Sequence, residues 1–233
     1  MNDGVLQAVS SPNGTLIVGG HFTRAGGIAA NFVASWNGAT WSALGSGFDG
    51  YVAELLIENN GDVIASGDFM NAGSIPARKI ARWNGVSWSQ VGSGLERYPY
   101  SLAALSNGVL LAPLRLTANQ AVNTNLLMRW AGDDWTPIDS GLNGAVRVFV
   151  QLPNGDVIAG GDFTFAARVE LNRIARWDGV RWSPLGSGVN AAVRALTILS
   201  NGDILVGGEF SLAGGKTANR VARWNGSGWS NMG

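Results

Sequence analysis

The chain has 233 residues, 16 basic and 16 acidic side chains, and a charged fraction of only 14%. Nucleic-acid binders need a basic stripe to neutralise phosphates, and membrane-surface proteins need a polybasic patch; neither is present, and no apolar run approaches the roughly 18 residues of a membrane helix. With no cysteine, disulfides and thiolate zinc sites are excluded. The first residues, MNDGVLQAVSSPNG, lack the basic start and long apolar stretch of a signal peptide.

The predicted elements repeat along the chain. An apolar run leads into Asn-Gly at Asn13-Gly14, Asn60-Gly61, Asn107-Gly108, Asn154-Gly155 and Asn201-Gly202. Asn-Gly between apolar runs predicts a tight hairpin, with a type I′ turn as the expected form. A second run follows, as in Asp203–Gly208, and then Phe210. A loop of variable sequence comes next: Thr23–Asn31, Met70–Ala77, Thr117–Thr124, Thr164–Leu171 and Ser211–Ala218. The third run ends in Trp36, Trp83, Trp130, Trp177 or Trp224, and a short turn joins it to Trp41, Trp88, Trp135, Trp182 or Trp229. The fourth run closes on Gly-Ser-Gly at Gly45-Ser46-Gly47, Gly92-Ser93-Gly94 and Gly186-Ser187-Gly188.

The Asn-Gly turns and the Trp pairs recur every 47 residues without insertion, and the three Gly-Ser-Gly triplets fall on the same ruler. Four short antiparallel strands per repeat of this length are the anatomy of a propeller blade, and such a repeat needs its neighbours to bury its faces. The reading is an all-β, closed five-bladed β-propeller, one domain over 1–233 with blades 1–47, 48–94, 95–141, 142–188 and 189–233. The repeat phase puts the inner strand first and the outer strand last, so closure is expected without a strand shared between the ends, which should adjoin.

Blades of this length in a five-fold ring resemble the tachylectin-type lectin propellers. The motif Gly160-Gly161-Asp162-Phe163, Ile174-Ala175-Arg176-Trp177-Asp178-Gly179, Trp182 and Leu185-Gly186-Ser187-Gly188 is similar to kelch-like repeats of exported cell-surface proteins. The resemblance implies an extracellular or cell-surface setting. It covers the whole chain but transfers no sugar-binding motif, and the third repeat departs from it at Pro113-Leu114-Arg115-Leu116.

The tryptophans recur in every repeat, whereas a ligand site needs only one; Trp36, Trp83, Trp130, Trp177 and Trp224 are therefore read as structural, pairing across strands and filling the space between blades. Between Gly-Gly and Phe stand His21, Asp68, Arg115, Asp162 and Glu209; fourteen residues on stand Ser35, Arg82, Arg129, Arg176 and Arg223. Acidic residues co-occur with Arg, so Asp68–Arg82, Asp162–Arg176 and Glu209–Arg223 are expected as structural ion pairs. The sequons Asn13-Gly14-Thr15 and Asn225-Gly226-Ser227 fall on turns that the repeat itself demands. The sole histidine, His21, has no metal-ligating partners in sequence, and no metal, cofactor or catalytic residue is assigned.

Ligand-binding residues are expected on the face that carries the longer connections, since loops on a rigid scaffold carry recognition. The candidates are Asn2, Asp49, Glu96, Asn143 and Asn190 after the Gly-Ser-Gly turns, and Tyr100, Arg147 and Arg194 on the innermost strands, where the third repeat begins with Tyr98-Pro99-Tyr100. Leu6, Ala53, Tyr100, Arg147 and Arg194 or else their successors should face the channel, because strand neighbours point oppositely. The function expected is a non-enzymatic binding module, monomeric, taking a glycan or a protein and neither nucleic acid nor membrane. A scaffold with no ligand is one alternative. A five-bladed glycoside hydrolase using Glu54, Asp49 and Glu96 is another, since that chemistry needs paired carboxylates.

Overall fold

The computed structural model describes residues 1–99, 101–114, 126–138, 142–166 and 168–232. Among them the chain forms five four-stranded antiparallel sheets, each drawn from one contiguous repeat and each pairing its strands in chain order. In the first, Val5–Ser10, Leu16–Gly20, Val33–Trp36 and Trp41–Ala43 pair in that order. Two compact units divide the chain: Met1–Leu111 with Arg129–Thr136, and Ala112–Met128 with Pro137–Gly233.

Within the first unit, one core joins the first two repeats through Val33, Leu44, Phe48, Val52, Leu55, Phe69 and Trp88. Within the second, Ile158, Ile174, Leu185, Val193, Phe210 and Trp229 do the same for the fourth and fifth. The Phe of each Gly-Gly-x-Phe element is fully buried, at Phe22, Phe69, Phe163 and Phe210; burying such a ring stabilises by about 2–3 kcal/mol. The corresponding Leu116 lies outside the described residues.

The Trp pairs divide their labour. Trp36 and Trp41 are direct cross-strand partners, as are Trp83 and Trp88, Trp177 and Trp182, and Trp224 and Trp229, with ring centroids 5.2, 5.3, 6.2 and 5.3 Å apart. In three sheets the second Trp ties its sheet to the preceding one. Trp88 Nε1 donates to the Leu44 carbonyl at 2.9 Å, Trp135 Nε1 to Val91 at 2.9 Å and Trp229 Nε1 to Leu185 at 2.8 Å. Backbone bonds reinforce each join, from Phe48 N to Asn31 O, Leu95 N to Arg78 O and Val189 N to Asn172 O. The Gly-Ser-Gly element is needed here. Gly47 and Gly188 hold φ near +69° and +66°, and a Cβ on either would run into the Asn31 or Asn172 carbonyl.

Two local features differ from the sequence expectation. The Asn-Gly hairpins are not type I′: Gly14 has φ of +83° while Asn13 does not enter the left-handed region. Gly14 N donates to Ser11 O, and Ser11 N to Thr15 O, the pattern of a type I turn closed by a left-handed glycine. Asn13 accepts from Thr15 N through its side chain, an Asx interaction that supplies the polarity without requiring positive φ. The variable loops are also more ordered than expected. Four of them fold into small ribbons, Arg24–Ala25 with Ile28–Ala29, Asn71–Ala72 with Ile75–Pro76, Phe165–Ala166 with Val169–Glu170, and Leu212–Ala213 with Lys216–Thr217. Gly26-Gly27 and Gly214-Gly215, all at positive φ, are hairpin turns that the sequence displays openly.

Candidate functional site

In four sheets the first strand carries a bulge near its start. Val5 pairs with Gly20 and Gln7 with Gly19, so Leu6 is an extra residue. Ala53, Arg147 and Arg194 are extra in the same way. A bulge sets two residues against one and interrupts the alternation of side chains. The expectation that either the 6/53/147/194 positions or their successors face one way therefore does not apply there. Instead the bulge aims Arg147 and Arg194 at neighbouring carboxylates. Arg147 Nε lies 2.9 Å from both oxygens of Asp162. Arg194 Nη2 lies 2.6 Å from Glu209 Oε1.

These contacts correct the expected ion pairs Asp68–Arg82, Asp162–Arg176 and Glu209–Arg223. Asp68 pairs with Lys79, and Asp162 and Glu209 are taken by Arg147 and Arg194. Arg82 forms a two-pronged pair with Glu58, Nε to Oε2 at 2.7 Å and Nη2 to Oε1 at 2.9 Å. Arg176 pairs with Asp156, and Arg223 stands 3.3 Å from Asp203, without hydrogen-bond geometry. Strand register is the reason. Arg82 is opposite Ile64 and Arg176 opposite Ile158, four residues from Asp68 and Asp162, beyond side-chain reach at ~3.3 Å per residue. Arg115 lies outside the described residues.

Asn2, Asp49, Asn143 and Asn190 are turned inward to hold the loops. Asn143 Oδ1 accepts from Thr164 N and Phe165 N at 2.8 and 2.9 Å, and its Nδ2 donates to Thr164 Oγ1. Asn190 treats Ser211 and Leu212 the same way, and Asn2 treats Thr23 and Arg24 so. Asp49 accepts from Met70 N, Asn71 N and Asn71 Nδ2. Partial burial pushes its carboxyl up, but the bonds from Asn71 and Met70 outweigh this and hold it below the usual carboxylate range. These are loop staples, exposed but bonded to the backbone amides and side chains at the start of each of these loops. Glu96 is exposed, while the loop it would staple, like Tyr100, lies outside the described residues.

The first unit brings together a cluster that the sequence reading did not assemble. His21 and Tyr51 rings lie 4.5 Å apart at 33°. Tyr51 and Tyr98 rings lie 5.8 Å apart, nearly perpendicular, and their hydroxyl oxygens are 2.9 Å apart. Within each repeat His21 N donates to Gly4 O and Asp68 N to Tyr51 O, which sets the His21 and Tyr51 positions at the same end of their sheets. His21 is exposed and both tyrosines are half-buried. The signal was available, since Tyr51 and Tyr98 are one repeat apart. At the same position the other repeats carry Gly4, Ala145 and Ala192. Among the described residues no three His, Cys, Asp or Glu side chains gather closely enough to hold a metal.

Residues 7–152 match the profile of the Rax2 C-terminal beta propeller domain. The chain belongs to this propeller family. A second propeller profile, a domain of unknown function designated DUF5122, matches residues 199–228 of the Rax2-type chain. Solved structures similar to this Rax2-type propeller include the WD40 beta propeller domain of Doa1, at TM-score 0.58 and 17% identity over 97% of this chain and 67% of that one. YCF48 bound to D1 peptide has TM-score 0.56 and 17% identity over 97% and 67%. The gluconolactonase XC5397 from Xanthomonas campestris has TM-score 0.56 and 12% identity over 87% and 68%. At these identities the likeness is one of fold alone. No curated protein matches the chain.

Proposed function

We propose that this Rax2-type chain is a closed five-bladed ring acting as a non-enzymatic binding module, which takes a glycan or a protein at its loop-bearing end. The observation that carries the reading is a contrast in chemistry on a constant frame. The Trp pairs, Gly-Ser-Gly turns and loop staples recur, yet the sheet ends differ: Tyr51 and Tyr98 stand in one unit where the other has Ala145 and Ala192, and His21 stands where the other has Asp162 and Glu209, paired with Arg147 and Arg194. Both fillings satisfy the fold, so the fold does not dictate the difference. Half-exposed aromatic side chains with polar tips are what recognition sites use. YCF48, bound to a peptide, supports a propeller of this kind as a binding platform. The carboxylates a hydrolase would require are committed elsewhere in part, Asp49 being a loop staple. An extracellular or cell-surface setting and a monomeric state accompany this reading.

The test is a parallel screen of the purified chain on a glycan array and a peptide array, repeated with Tyr98→Ala after its melting curve is shown to be native. Retention on either array that disappears with Tyr98→Ala supports the module. Blank arrays, or binding indifferent to Tyr98→Ala, count against it.

A further inference from the structure

Resting on that binding-module reading, we propose that the seam between the fourth and fifth repeats holds a second site, built around Arg173, that takes the carboxylate of a peptide. The first observation is a backbone position that recurs along the chain. Phe32, Lys79, Arg173 and Arg220 hold positive φ of 65°, 75°, 70° and 67°, and each donates its amide to the buried Phe carbonyl of its own repeat. The frame is constant and the side chain is not. Phe32 packs against the apolar core of the first two repeats. Lys79 is neutralised by Asp68. In the fourth repeat Asp162 stands where Asp68 does, but Arg147 holds it by both oxygens, and Arg173 turns instead to the next repeat.

Arg173 is half-buried, and no carboxylate pairs with it among the described residues. Its side-chain bond runs from Nη1 to the Val189 carbonyl at 3.5 Å, the outer limit for such a contact. A guanidinium carries five N–H donors in a planar fork, so most of this one's capacity is open. A cavity of about 330 Å³ lies beside it, with Asn172, Ser187, Val189, Leu212 and Gly215 in its lining. Arg173 is the one charged residue of that lining. Both walls are fixed to the same short segment: Val189 N donates to Asn172 O on one side, and on the other Asn190 N donates to Leu212 O and Gly214 N to Gly188 O. A pocket formed before its ligand arrives binds with little ordering cost.

The lining selects the ligand. One guanidinium matches one carboxylate, whose two oxygens meet two N–H groups of the fork; a phosphate dianion calls for a second cation that the lining does not hold. Ser187 is exposed, and its hydroxyl has no partner among the described residues. Val189 and Leu212 add aliphatic surface, while no aromatic ring lines the cavity, so a uronate would lack a face to stack on. A peptide carboxylate with an aliphatic side chain beside it fits both halves of the site. Arg220 of the fifth repeat is exposed and outside this lining. One charged pair in an open pocket fits millimolar affinity.

The experiment follows the backbone amide and Arg173 Nε–H resonances of the intact, isotope-labelled chain while N-acetyl-alanyl-valine is added to about 50 mM. Its C-terminal amide is the control without a carboxylate, and N-acetyl-glutamic acid α-amide carries the carboxylate on a side chain instead of a chain end. Saturable shifts at Arg173 and at the Gly188–Asn190 amides are expected with the free acid, at least about tenfold weaker with the amide. Arg173→Lys should weaken binding about three- to tenfold by removing the fork and keeping the charge, and Arg173→Phe should abolish it. Both variants install residues that this chain already carries at the same backbone position, and melting curves check their folds. Binding of the glutamyl probe as tight as that of the free acid supports the site as one for acidic side chains; weaker binding supports it as one for chain ends. No saturable shift, equal response to acid and amide, or unchanged binding by Arg173→Phe overturns the site. Array retention that depends on Tyr98 with blank titrations overturns it too and leaves the binding-module reading standing, whereas saturable titrations with blank arrays support this site and count against the Tyr98 one.

Discussion

Glu58 and Arg82 offer the sharpest test of how this chain holds its charges. The carboxylate is 9% exposed and the guanidinium 23%. Two hydrogen bonds of 2.7 and 2.9 Å join them, and the same guanidinium lies 4.5 Å above the Trp130 ring. Glu58→Ala leaves that cation covered and without its anion. One-sided removal from a buried pair costs about 3–5 kcal/mol; Arg82 is partly wetted, so about 2 kcal/mol is the expected loss, in line with charge-assisted bonds. For a chain of this size that lowers Tm by roughly 4–8 °C. Asp203→Ala is the internal comparison: Arg223 is 39% exposed and 3.3 Å away, so the loss should stay below about 1 kcal/mol. Denaturant melts of both variants, with Arg82→Ala and the Glu58→Ala/Arg82→Ala double variant, complete the cycle. A Glu58–Arg82 coupling under about 0.5 kcal/mol, or equal destabilisation by Glu58→Ala and Asp203→Ala, would refute the reasoning.

Further outcomes follow from the same contacts. Asn143→Ala removes the acceptor for Thr164 N and Phe165 N; it should destabilise by about 1–2 kcal/mol, and hydrogen exchange at those two amides should accelerate before the sheet amides do. Hydrogen bonds from Asn71 and Met70 hold the Asp49 carboxyl below the ordinary carboxylate range despite its partial burial, so the stability it contributes is present above the unfolded value and is lost as pH falls through the folded one. Asp49→Asn, which installs the residue of Asn2, Asn143 and Asn190, should flatten the acid limb of a stability–pH curve and change neutral-pH stability little; an unchanged acid limb would assign that limb to other carboxylates. Gly160→Val should destabilise by about 1–3 kcal/mol, because a Cβ there collides with Val193 Cγ1 and meets Val148 Cγ1 at 3.2 Å. Substitution of Gly85, whose Cβ would meet nothing within 4 Å, tests turn strain alone and separates the two effects in parallel melts.

The four-strand repeat was legible because its markers are local. A Trp pair across a short turn and an Asn-Gly before a second run each report on a few adjacent residues, and strands such as Val33–Trp36 and Ile80–Trp83 stand where the sequence places them. The ion pairs were not legible, because which Arg meets which carboxylate depends on register and on the bulge before Arg147 and Arg194. A constant offset in sequence, as between Asp162 and Arg176, says nothing about separation across a sheet. Asn143 read as a binding residue for a related reason. It is polar and sits at a loop, and only coordinates reveal that it addresses the backbone of the following loop. The His21–Tyr51–Tyr98 cluster spans three repeats, so its members are 30 and 47 residues apart and no window along the chain contains them together.

The loop staples carry a consequence for how such a chain can change. Asn2, Asp49, Asn143 and Asn190 grip only the first two residues of each variable loop, and the loop returns onto the buried Phe carbonyl through Phe32 N, Lys79 N, Arg173 N and Arg220 N. Both ends of the excursion are thereby clamped to the sheet, and part of the stretch between is packed as well: Ala25, Ala72 and Ala213 are buried, a Cβ on Gly26 or Gly214 would strike Trp41 or Trp229, and Gly73 N and Gly214 N donate to Gly47 O and Gly188 O. Only the exposed positions between these contacts, such as Ile28, Ile75 and Lys216, can be exchanged without transmitting strain to the sheets. The molecule separates the part that must be inherited unchanged from the part that is free to be rewritten.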